Sequence, residues 1–280
     1  MKILKKYKSH AKVNLGLKII NQRKDGYHNL ESFFIELNLH DTITFSKSDN
    51  FSLTTNFKDL ETDESNIVTK AYKLLYPHKN NRASELSIHL EKKIPMGSGL
   101  GGGSSNAATT LKALNILWDC GFTDEQLSSK GTKLGADVPF FIHGGIQHVT
   151  GIGEKLKKVK FNYLKKIFFL LIVPKIHIST KWAYKKLNIN LQTNKNIPKL
   201  PSLNLPVSWQ MFENDFERVI RSTYPEIDEI KTKLYNFGSI YAGMSGSGST
   251  VFGIFDNRKL LNIAQKQFTN CQSFVTSSHI

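Results

Sequence analysis

A glycine-rich segment in the first half of the chain carries the clearest chemical signal. Residues 95–105 have the sequence PMGSGLGGGSS, with five glycines in seven positions. Glycine lets a backbone approach a ligand closely, and the N–H groups at the positive end of a helix attract phosphate oxygens. Alternating apolar residues at 86–90 precede the segment, and helically spaced apolar residues at 104–119 follow it. This order of strand, glycine loop and helix predicts a phosphate-binding site.

Three familiar phosphate loops do not fit this segment. A Walker loop ends in Gly-Lys-Ser/Thr, but here Gly102 is followed by Gly103 and Ser104. The spacing of Gly97, Gly99 and Gly102 satisfies the dinucleotide fingerprint, but the next predicted element is a helix where that fold requires a strand. A protein-kinase loop joins two strands, and no HRD or DFG signature follows here. What remains is a phosphate-binding loop of another class. A flexible linker is disfavoured, because the segment lies between a regular strand and an amphipathic helix.

The elements around the loop predict an α+β fold. Alternating apolar residues predict strands at residues 12–20, 32–37, 42–45, 51–53, 86–90 and 167–173. Helical spacing predicts helices at residues 65–75, 104–119 and 125–134. Asp25-Gly26 is typical of a hairpin turn. A further strand is predicted after Pro139, as far as Val149. These elements lack the regular βαβ order of a doubly wound sheet, so an α+β architecture is favoured.

The second half of the chain predicts a separate domain. A Gly-Ile-Gly turn at 151–153 comes before a boundary that we expect near residues 155–160, giving domains at 1–157 and 158–280. A polar stretch at 188–206 contains three prolines and is predicted to be a loop. Helices and strands alternate after it.

Composition narrows the class of protein. The 280 residues include 38 basic and 23 acidic side chains, a balance of +15 that suits nucleic acid, an anionic membrane surface or small anionic substrates. The longest wholly apolar run, residues 167–173, is far shorter than the roughly 20 residues of a spanning helix. The amino terminus lacks the apolar region of a secretory signal, and Cys120 and Cys271 form no CxxC pair. We therefore expect a cytoplasmic protein that binds no membrane.

Three motifs in order resemble those of the GHMP small-molecule kinases. Residues 95–108 resemble the central family motif, residues 11–17 the first and residues 243–252 the third. The resemblance implies a two-domain fold, with an N-terminal domain like domain 2 of ribosomal protein S5 and a ferredoxin-like α+β C-terminal domain. It implies an active site in the interdomain cleft. The third motif is expected to position substrate phosphates or line that cleft.

Two further segments narrow the resemblance within this family. Asp25-Gly26-Tyr27-His28 and residues 134–139 (LGADVP) are similar to the GHMP kinases of the non-mevalonate isoprenoid pathway. This similarity implies transfer of the ATP γ-phosphoryl group, with Mg²⁺, to the 2-hydroxyl of 4-diphosphocytidyl-2-C-methyl-D-erythritol. The expected partner is thus a small molecule and not nucleic acid, and the expected state is a monomer or weak homodimer. The metal ligands stay unknown.

The resemblance assigns catalytic and binding roles to individual residues. Asp137 is the implied base and Lys12 the implied catalytic cation; a carboxylate can accept a hydroxyl proton, and an ammonium can stabilise a transferring phosphoryl group. The implied ATP-binding residues are Asn66, Lys92, Pro95, Met96, Gly97, Ser98, Gly99, Leu100, Gly101, Gly102, Gly103, Ser104 and Ser105. The implied acceptor-binding residues are Asn14, Tyr27, His28 and Tyr184. The aromatic rings are suited to stacking on cytosine, and the imidazole to its polar edge.

Two other functions remain open at this point. Another GHMP kinase would phosphorylate homoserine, mevalonate or a sugar through the same phosphate loop. A basic nucleic-acid-binding protein would explain the net charge and the lysine clusters at 2–8 and 155–166. Those clusters lack interleaved base-stacking motifs and a recognisable reading module, so this second alternative is disfavoured.

Overall fold

The structure is a computed structural model that describes residues 2–191 and 199–280. Its strands are β1 Ile3–Gln22, β2 His28–Ser48, β3 Ser52–Thr55, β4 Glu85–Glu91, β5 Ile146–Gly151, β6 Lys155–Lys158, β7 Phe168–Val173, β8 Tyr241–Met244, β9 Val251–Phe255 and β10 Gln272–Thr276. Its helices are α1 Ile67–Leu75, α2 Gly102–Leu117, α3 Asp124–Gly131, α4 Val138–His143, α5 Thr180–Leu191, α6 Asp215–Ile220, α7 Glu226–Asn236 and α8 Arg258–Gln265. Single 3₁₀ turns lie at Tyr76–His78, Asn162–Lys166 and Trp209–Met211.

Contacts divide the chain into two compact units. The first unit contains the chain up to Ala11, Leu39–Met96 and Gly101–Gly144. The second unit contains Lys12–Asn38, Gly97–Leu100 and Gly145–Ile280. The units interleave along the sequence, and the domain boundary predicted between residues 157 and 158 stays a prediction.

In the first unit, helices α1 to α4 pack together beside a short sheet. The second half of β2 pairs antiparallel with β4, and β4 pairs parallel with β3. Helix α2 contacts α1, α3 and α4. Phe45, Leu111, Trp118 and Phe140 are fully buried, and removal of their apolar surface from water is the main force that holds this unit together.

In the second unit, the strands form two antiparallel groups. The first half of β2 pairs with β5, which pairs with β6. A four-stranded sheet has the order β10-β7-β9-β8. Its buried residues include Phe169 on β7 and Phe252 and Phe255 on β9. The mixture of helices and mainly antiparallel strands confirms the predicted α+β fold class.

Three local predictions differ from the structure. Residues 32–37 and 42–45 belong to one strand, β2, which pairs with β5 along its first half and with β4 along its second half. The strand-like stretch after Pro139 begins with helix α4, in which Pro139 occupies the first turn, where its missing N–H has no cost. The loop predicted at 188–206 is partly wrong, because α5 continues to Leu191; residues 192–198 of that loop lie outside the described residues.

None of the helices in these described ranges is long and apolar enough to cross a membrane.

Candidate active site

The glycine loop runs directly into α2, which begins at Gly102, two residues before the predicted start of the helix. Gly99 has φ +80° and Gly101 has φ +72°, a left-handed conformation that side chains disfavour. Gly101 is the N-cap of α2, and its carbonyl accepts the N–H of Ser105 at 2.9 Å. Glycine has no side chain to cap the first turn, and that turn contains no acidic residue. The arrangement therefore suits an anion at the start of α2.

In the second unit, the backbone of the glycine loop is fastened to two other motif segments. The N–H of Lys12 donates to the carbonyl of Leu100 at 2.9 Å. The Ser245 hydroxyl donates to the carbonyl of Gly99 at 2.8 Å, and the N–H of Thr250 donates to the carbonyl of Ser98 at 3.1 Å. The three motif segments identified in the sequence are thus in direct contact.

The third segment has its own anchors, which the sequence analysis did not identify. The Asn214 side-chain amide donates to the carbonyls of Met244 and Gly246, at 2.8 Å each. The Glu217 carboxylate accepts the N–H of Met244 at 2.7 Å and pairs with Lys231. Asn214, Ser245 and Glu217 are buried. Only the position of Ser245 inside a glycine-rich motif could have signalled its importance.

Lys12 and Asn14 lie next to each other on the same face of β1, and both are buried. The Lys12 ammonium donates to Oδ1 of Asn14 and lies 4.7 Å from the centre of the Phe34 ring. The N–H of Asn14 donates to the Ser245 hydroxyl at 3.3 Å. A buried ammonium held by an amide and a ring keeps a concentrated positive charge in place. The structure therefore brings together the predicted residues Lys12, Asn14 and Gly99.

Asp137 lies at the N-cap of the short helix α4 and is partly buried in the first unit. Its side chain does not cap that helix. The same segment approaches the start of α2, because a Cβ placed on Gly135 would be 3.5 Å from Oγ of Ser104. The segment that contains Asp137 and the start of α2 therefore belong to one compact unit and pack against each other. The role of Asp137 as base stays a prediction.

Asn66 and Lys92 have partners within the first unit. Asn66 caps α1 by accepting the N–H of Val68 at 2.8 Å. The Lys92 side chain is only 5% exposed; its ammonium pairs with Asp41 and donates to Oδ1 of Asn106 at 3.1 Å. Both residues thus have structural contacts of their own, and their predicted contacts with ATP stay predictions.

The residues predicted to hold cytosine belong to the second unit. Tyr27 follows a tight turn closed by the Arg23 N–H and the Tyr27 carbonyl, and its side chain is 61% exposed. His28 is buried and stacks on Tyr184, with ring centres 4.7 Å apart and an interplanar angle of 26°. Tyr184 also meets Phe216 edge to face at 4.9 Å. The structure brings His28 and Tyr184 together and leaves the face of Tyr27 accessible.

Among the described residues, no group of three or more His, Cys, Asp and Glu side chains is arranged to hold a metal ion. Mg²⁺ commonly takes one or two protein oxygen ligands and completes its shell with water and substrate phosphates. Ser104, in the first turn of α2, supplies a hydroxyl oxygen that fits such a site.

Two family models match the chain. The model described as GHMP kinases N terminal domain matches residues 66–145, and the model described as GHMP kinases C terminal matches residues 198–271. These matches include the glycine loop and the third motif segment.

Individual relatives narrow the similarity. The chain is 42% identical to the 4-diphosphocytidyl-2-C-methyl-D-erythritol kinase of Chlorobium chlorochromatii, over 89% of this chain and 88% of that protein. It is 38% identical to the protein of the same name from Thermodesulfovibrio yellowstonii, over 93% of both chains.

Solved structures show the same relationship. A crystal structure of 4-(cytidine 5'-diphospho)-2C-methyl-D-erythritol kinase matches with a TM-score of 0.84 and 27% identity, covering 99% of this chain and 100% of that one. A homoserine kinase from Cytophaga hutchinsonii matches with a TM-score of 0.69 and 19% identity, covering 97% and 94%. The second likeness concerns the fold alone.

Proposed function

This chain belongs to the 4-diphosphocytidyl-2-C-methyl-D-erythritol kinases of the GHMP kinase family, and we propose that it transfers the γ-phosphoryl group of ATP to the 2-hydroxyl of 4-diphosphocytidyl-2-C-methyl-D-erythritol. The products are ADP and the 2-phosphate, within the non-mevalonate route to isopentenyl diphosphate. The observation that carries the proposal is the glycine loop, which ends at the start of α2 and is fastened to the two other family motifs.

Phosphate binding is the task of the loop and the helix that follows it. The backbone N–H groups at 97–105 and the positive end of α2 offset the charge of the ATP phosphates. The hydroxyl of Ser104 adds a further donor. Because the loop is held by Ser245 and Thr250, its donors are in place before ATP binds. Such preorganisation lowers the cost of fixing the γ-phosphoryl group for attack.

Proton transfer and charge stabilisation are assigned to Asp137 and Lys12. The Asp137 carboxylate accepts the proton of the attacking 2-hydroxyl. Lys12 supplies positive charge to the transferring phosphoryl group, and its burial strengthens that effect. The transfer is direct and in line, with no phosphoenzyme.

Mg²⁺ is the metal that the reaction requires, because it neutralises charge on the phosphates of ATP during transfer. Ser104, in the first turn of α2, is a residue that would hold it. Its hydroxyl oxygen matches the ligand preference of Mg²⁺, and the phosphates and water would supply the remaining ligands.

Recognition of the acceptor is assigned to the aromatic residues of the second unit. The exposed ring of Tyr27 stacks on cytosine, and His28 bonds to the polar edge of the base. Asn14, beside Lys12, is a further polar contact to the acceptor. Tyr184 is the second aromatic residue assigned to cytosine, and its stacked contact with His28 fixes the two rings relative to each other. This division of roles separates acceptor binding from ATP binding.

The cell compartment and assembly state complete the proposal. ATP is the donor and the two cysteines form no disulfide, which supports a cytoplasmic location. A monomer or weak homodimer that binds no nucleic acid is the expected state.

Release of ADP by the purified protein with MgATP tests this function. Separate reactions would contain the diphosphocytidyl methylerythritol, homoserine, mevalonate or no acceptor. Stimulation by the cytidyl compound alone is the expected result. Equal or greater stimulation by another acceptor would overturn the assigned substrate, and no stimulation by any acceptor in folded protein would overturn the kinase activity.

A further inference from the structure

Asp41 lies on β2 at the base of the glycine loop, and its side chain is fully buried. One carboxylate oxygen accepts two backbone N–H groups, from Lys93 at 2.7 Å and from Ile94 at 2.8 Å. The other oxygen pairs with the Lys92 ammonium and accepts the side-chain amide of Asn106 at 2.9 Å. The carboxylate thus has four donors, and Asp41 belongs to none of the three family motifs.

These four donors lie on both sides of the glycine loop. Residues 92–94 come directly before the loop, and Asn106 is the fifth residue of α2, directly after it. Asn106 also donates to the Ser9 hydroxyl at 2.9 Å, and that hydroxyl lies 2.8 Å from Oγ of Ser105. A Cβ on Gly102 would be 3.2 Å from the Lys92 ammonium and 3.0 Å from Cγ2 of Ile94. The entry and exit of the loop are therefore held against each other.

We propose that Asp41 is a positioning residue that fixes both ends of the glycine loop and so sets the loop geometry that ATP meets. This inference rests on the proposed function, because the proposed function assigns the glycine loop to the ATP phosphates.

The chemistry of the cluster supports a positioning role. A glycine-rich loop has many accessible backbone conformations, so holding it in one of them requires fixed partners at its ends. A buried carboxylate is costly to remove from water, and its four donors offset that cost while fixing its orientation. Loss of this single group would release the strand end and the helix start together.

Asp41→Asn is the informative substitution. The Asn oxygen can still accept from Lys93 and Ile94, but its NH₂ group would face the Lys92 ammonium and the Asn106 amide, which are donors themselves. The hydrogen bonds that position 41 accepts from Lys92 and Asn106 are both lost, so the ends of the glycine loop are held less firmly. We therefore expect the KM for ATP to rise about tenfold. The KM for the acceptor should change less than twofold. Amide hydrogen exchange of residues 95–105, measured without nucleotide, should become faster.

An exchange of two side chains provides the rescue. In Asp41→Asn combined with Asn106→Asp, the new carboxylate at 106 can accept from Lys92 and Ser9, and the new amide at 41 can donate to it. The two positions are already in contact, so the exchange keeps the charge and volume of the cluster. We expect the KM for ATP and the loop exchange rates to return to within about threefold of wild type.

Glu85→Gln is a matched control at the other end of β4. Glu85 is also a partly buried carboxylate, and it pairs with Lys79 and accepts the hydroxyls of Tyr72 and Tyr76. Its substitution should leave loop exchange and both KM values unchanged.

Asn106→Ala is a milder variant that releases only the exit of the loop. It tests the proposal if Asp41→Asn does not fold.

The proposal would be overturned if folded Asp41→Asn, or Asn106→Ala, had the same loop amide exchange rates and the same KM for ATP as the wild-type protein. An equal rise of both KM values would also overturn it, because a general structural defect predicts that result. Failure of the proposed function has a different signature. The wild-type protein would then release no ADP with any acceptor, while loop exchange without nucleotide would still separate the variants.

Discussion

The hydroxyl of Ser245 donates to the carbonyl of Gly99 at 2.8 Å, although the two residues are 146 positions apart. The backbone approach is so close that a Cβ on Gly99 would overlap the carbonyl oxygen of Ser245. Glycine is therefore required at position 99 for space as well as for its left-handed conformation. This contact joins the central glycine loop to the third motif segment within one compact unit.

Gly99→Ala should reduce kcat/KM on the order of a hundredfold, a loss of about 2.7 kcal/mol in transition-state stabilisation. The new methyl group displaces the loop backbone from Ser245, so the phosphate-binding N–H groups move. Steady-state ADP release with MgATP and the cytidyl acceptor would measure the loss.

Gly121→Ala is the control for this substitution. Gly121 has a similar φ of +72°, but a Cβ there meets nothing within 4 Å. Gly121→Ala has the same cost of a left-handed backbone but creates no steric overlap. The kcat/KM of this variant should therefore stay near that of wild type. Equal losses in the two variants would contradict the importance of the Ser245 contact.

Asp137→Asn should lower kcat by about 10² to 10⁴, the usual contribution of a general base. Asn cannot accept the hydroxyl proton, but it matches Asp in size at the N-cap of α4. The free energy of unfolding and the dissociation constant for ATP should therefore change little, as urea titration and calorimetry would show. A folded variant with turnover within threefold of wild type would contradict the assignment.

Tyr27→Ala should raise the KM for the cytidyl acceptor about tenfold, because stacking of a base on an aromatic ring contributes about 1–3 kcal/mol. The KM for ATP should stay nearly constant. Initial rates measured with each substrate varied in turn separate the two values.

Tyr76→Ala is a suitable comparison for Tyr27→Ala. Tyr76 is another exposed tyrosine, on the 3₁₀ turn after α1, and has no predicted substrate role. It should leave both KM values unchanged. If Tyr27→Ala raised both KM values equally, Tyr27 would have no specific role in cytosine binding.

The parts of the fold that the sequence predicted depend on local patterns. The glycine loop and α2 follow from a run of glycines and an apolar period within about 25 residues. The strand interpretation after Pro139 was wrong because a short apolar run fits a strand or a buried helix equally well, and the Pro in the first turn was the signal for a helix.

The site residues that the sequence did not predict act through distant contacts. Asp41 bonds to Ile94 across 53 positions, and Asn214 bonds to Gly246 across 32. A single polar residue carries no pattern of its own, so neither contact has a local signature. The resemblance identified Asn14 and the third motif segment separately as parts of the family pattern. Only the structure shows that the N–H of Asn14 donates to the Ser245 hydroxyl of that segment.

Stability should depend on pH through Glu213. The hydrogen bond from the Lys18 ammonium at 2.8 Å lowers the pKa of the Glu213 carboxyl below its ordinary value of 4.5, although partial burial opposes this. A lowered pKa contributes stability above pH 4.5, and this contribution is lost as the pH falls through the folded-state value. The carboxylate is 70% exposed, so water screens the pair and the contribution is less than about 1 kcal/mol.

Glu213→Gln should therefore lower the free energy of unfolding by that small amount at pH 7, and the difference from wild type should shrink as the pH falls below 4.5. Urea titrations at pH 7, 4 and 3 would measure it. In a Lys18→Met background the pH-dependent effect should be smaller, because the main group that lowers the pKa of Glu213 is absent while Arg218 and Lys231 remain. A difference that stayed constant across this range, or grew at acid pH, would contradict the assigned pair.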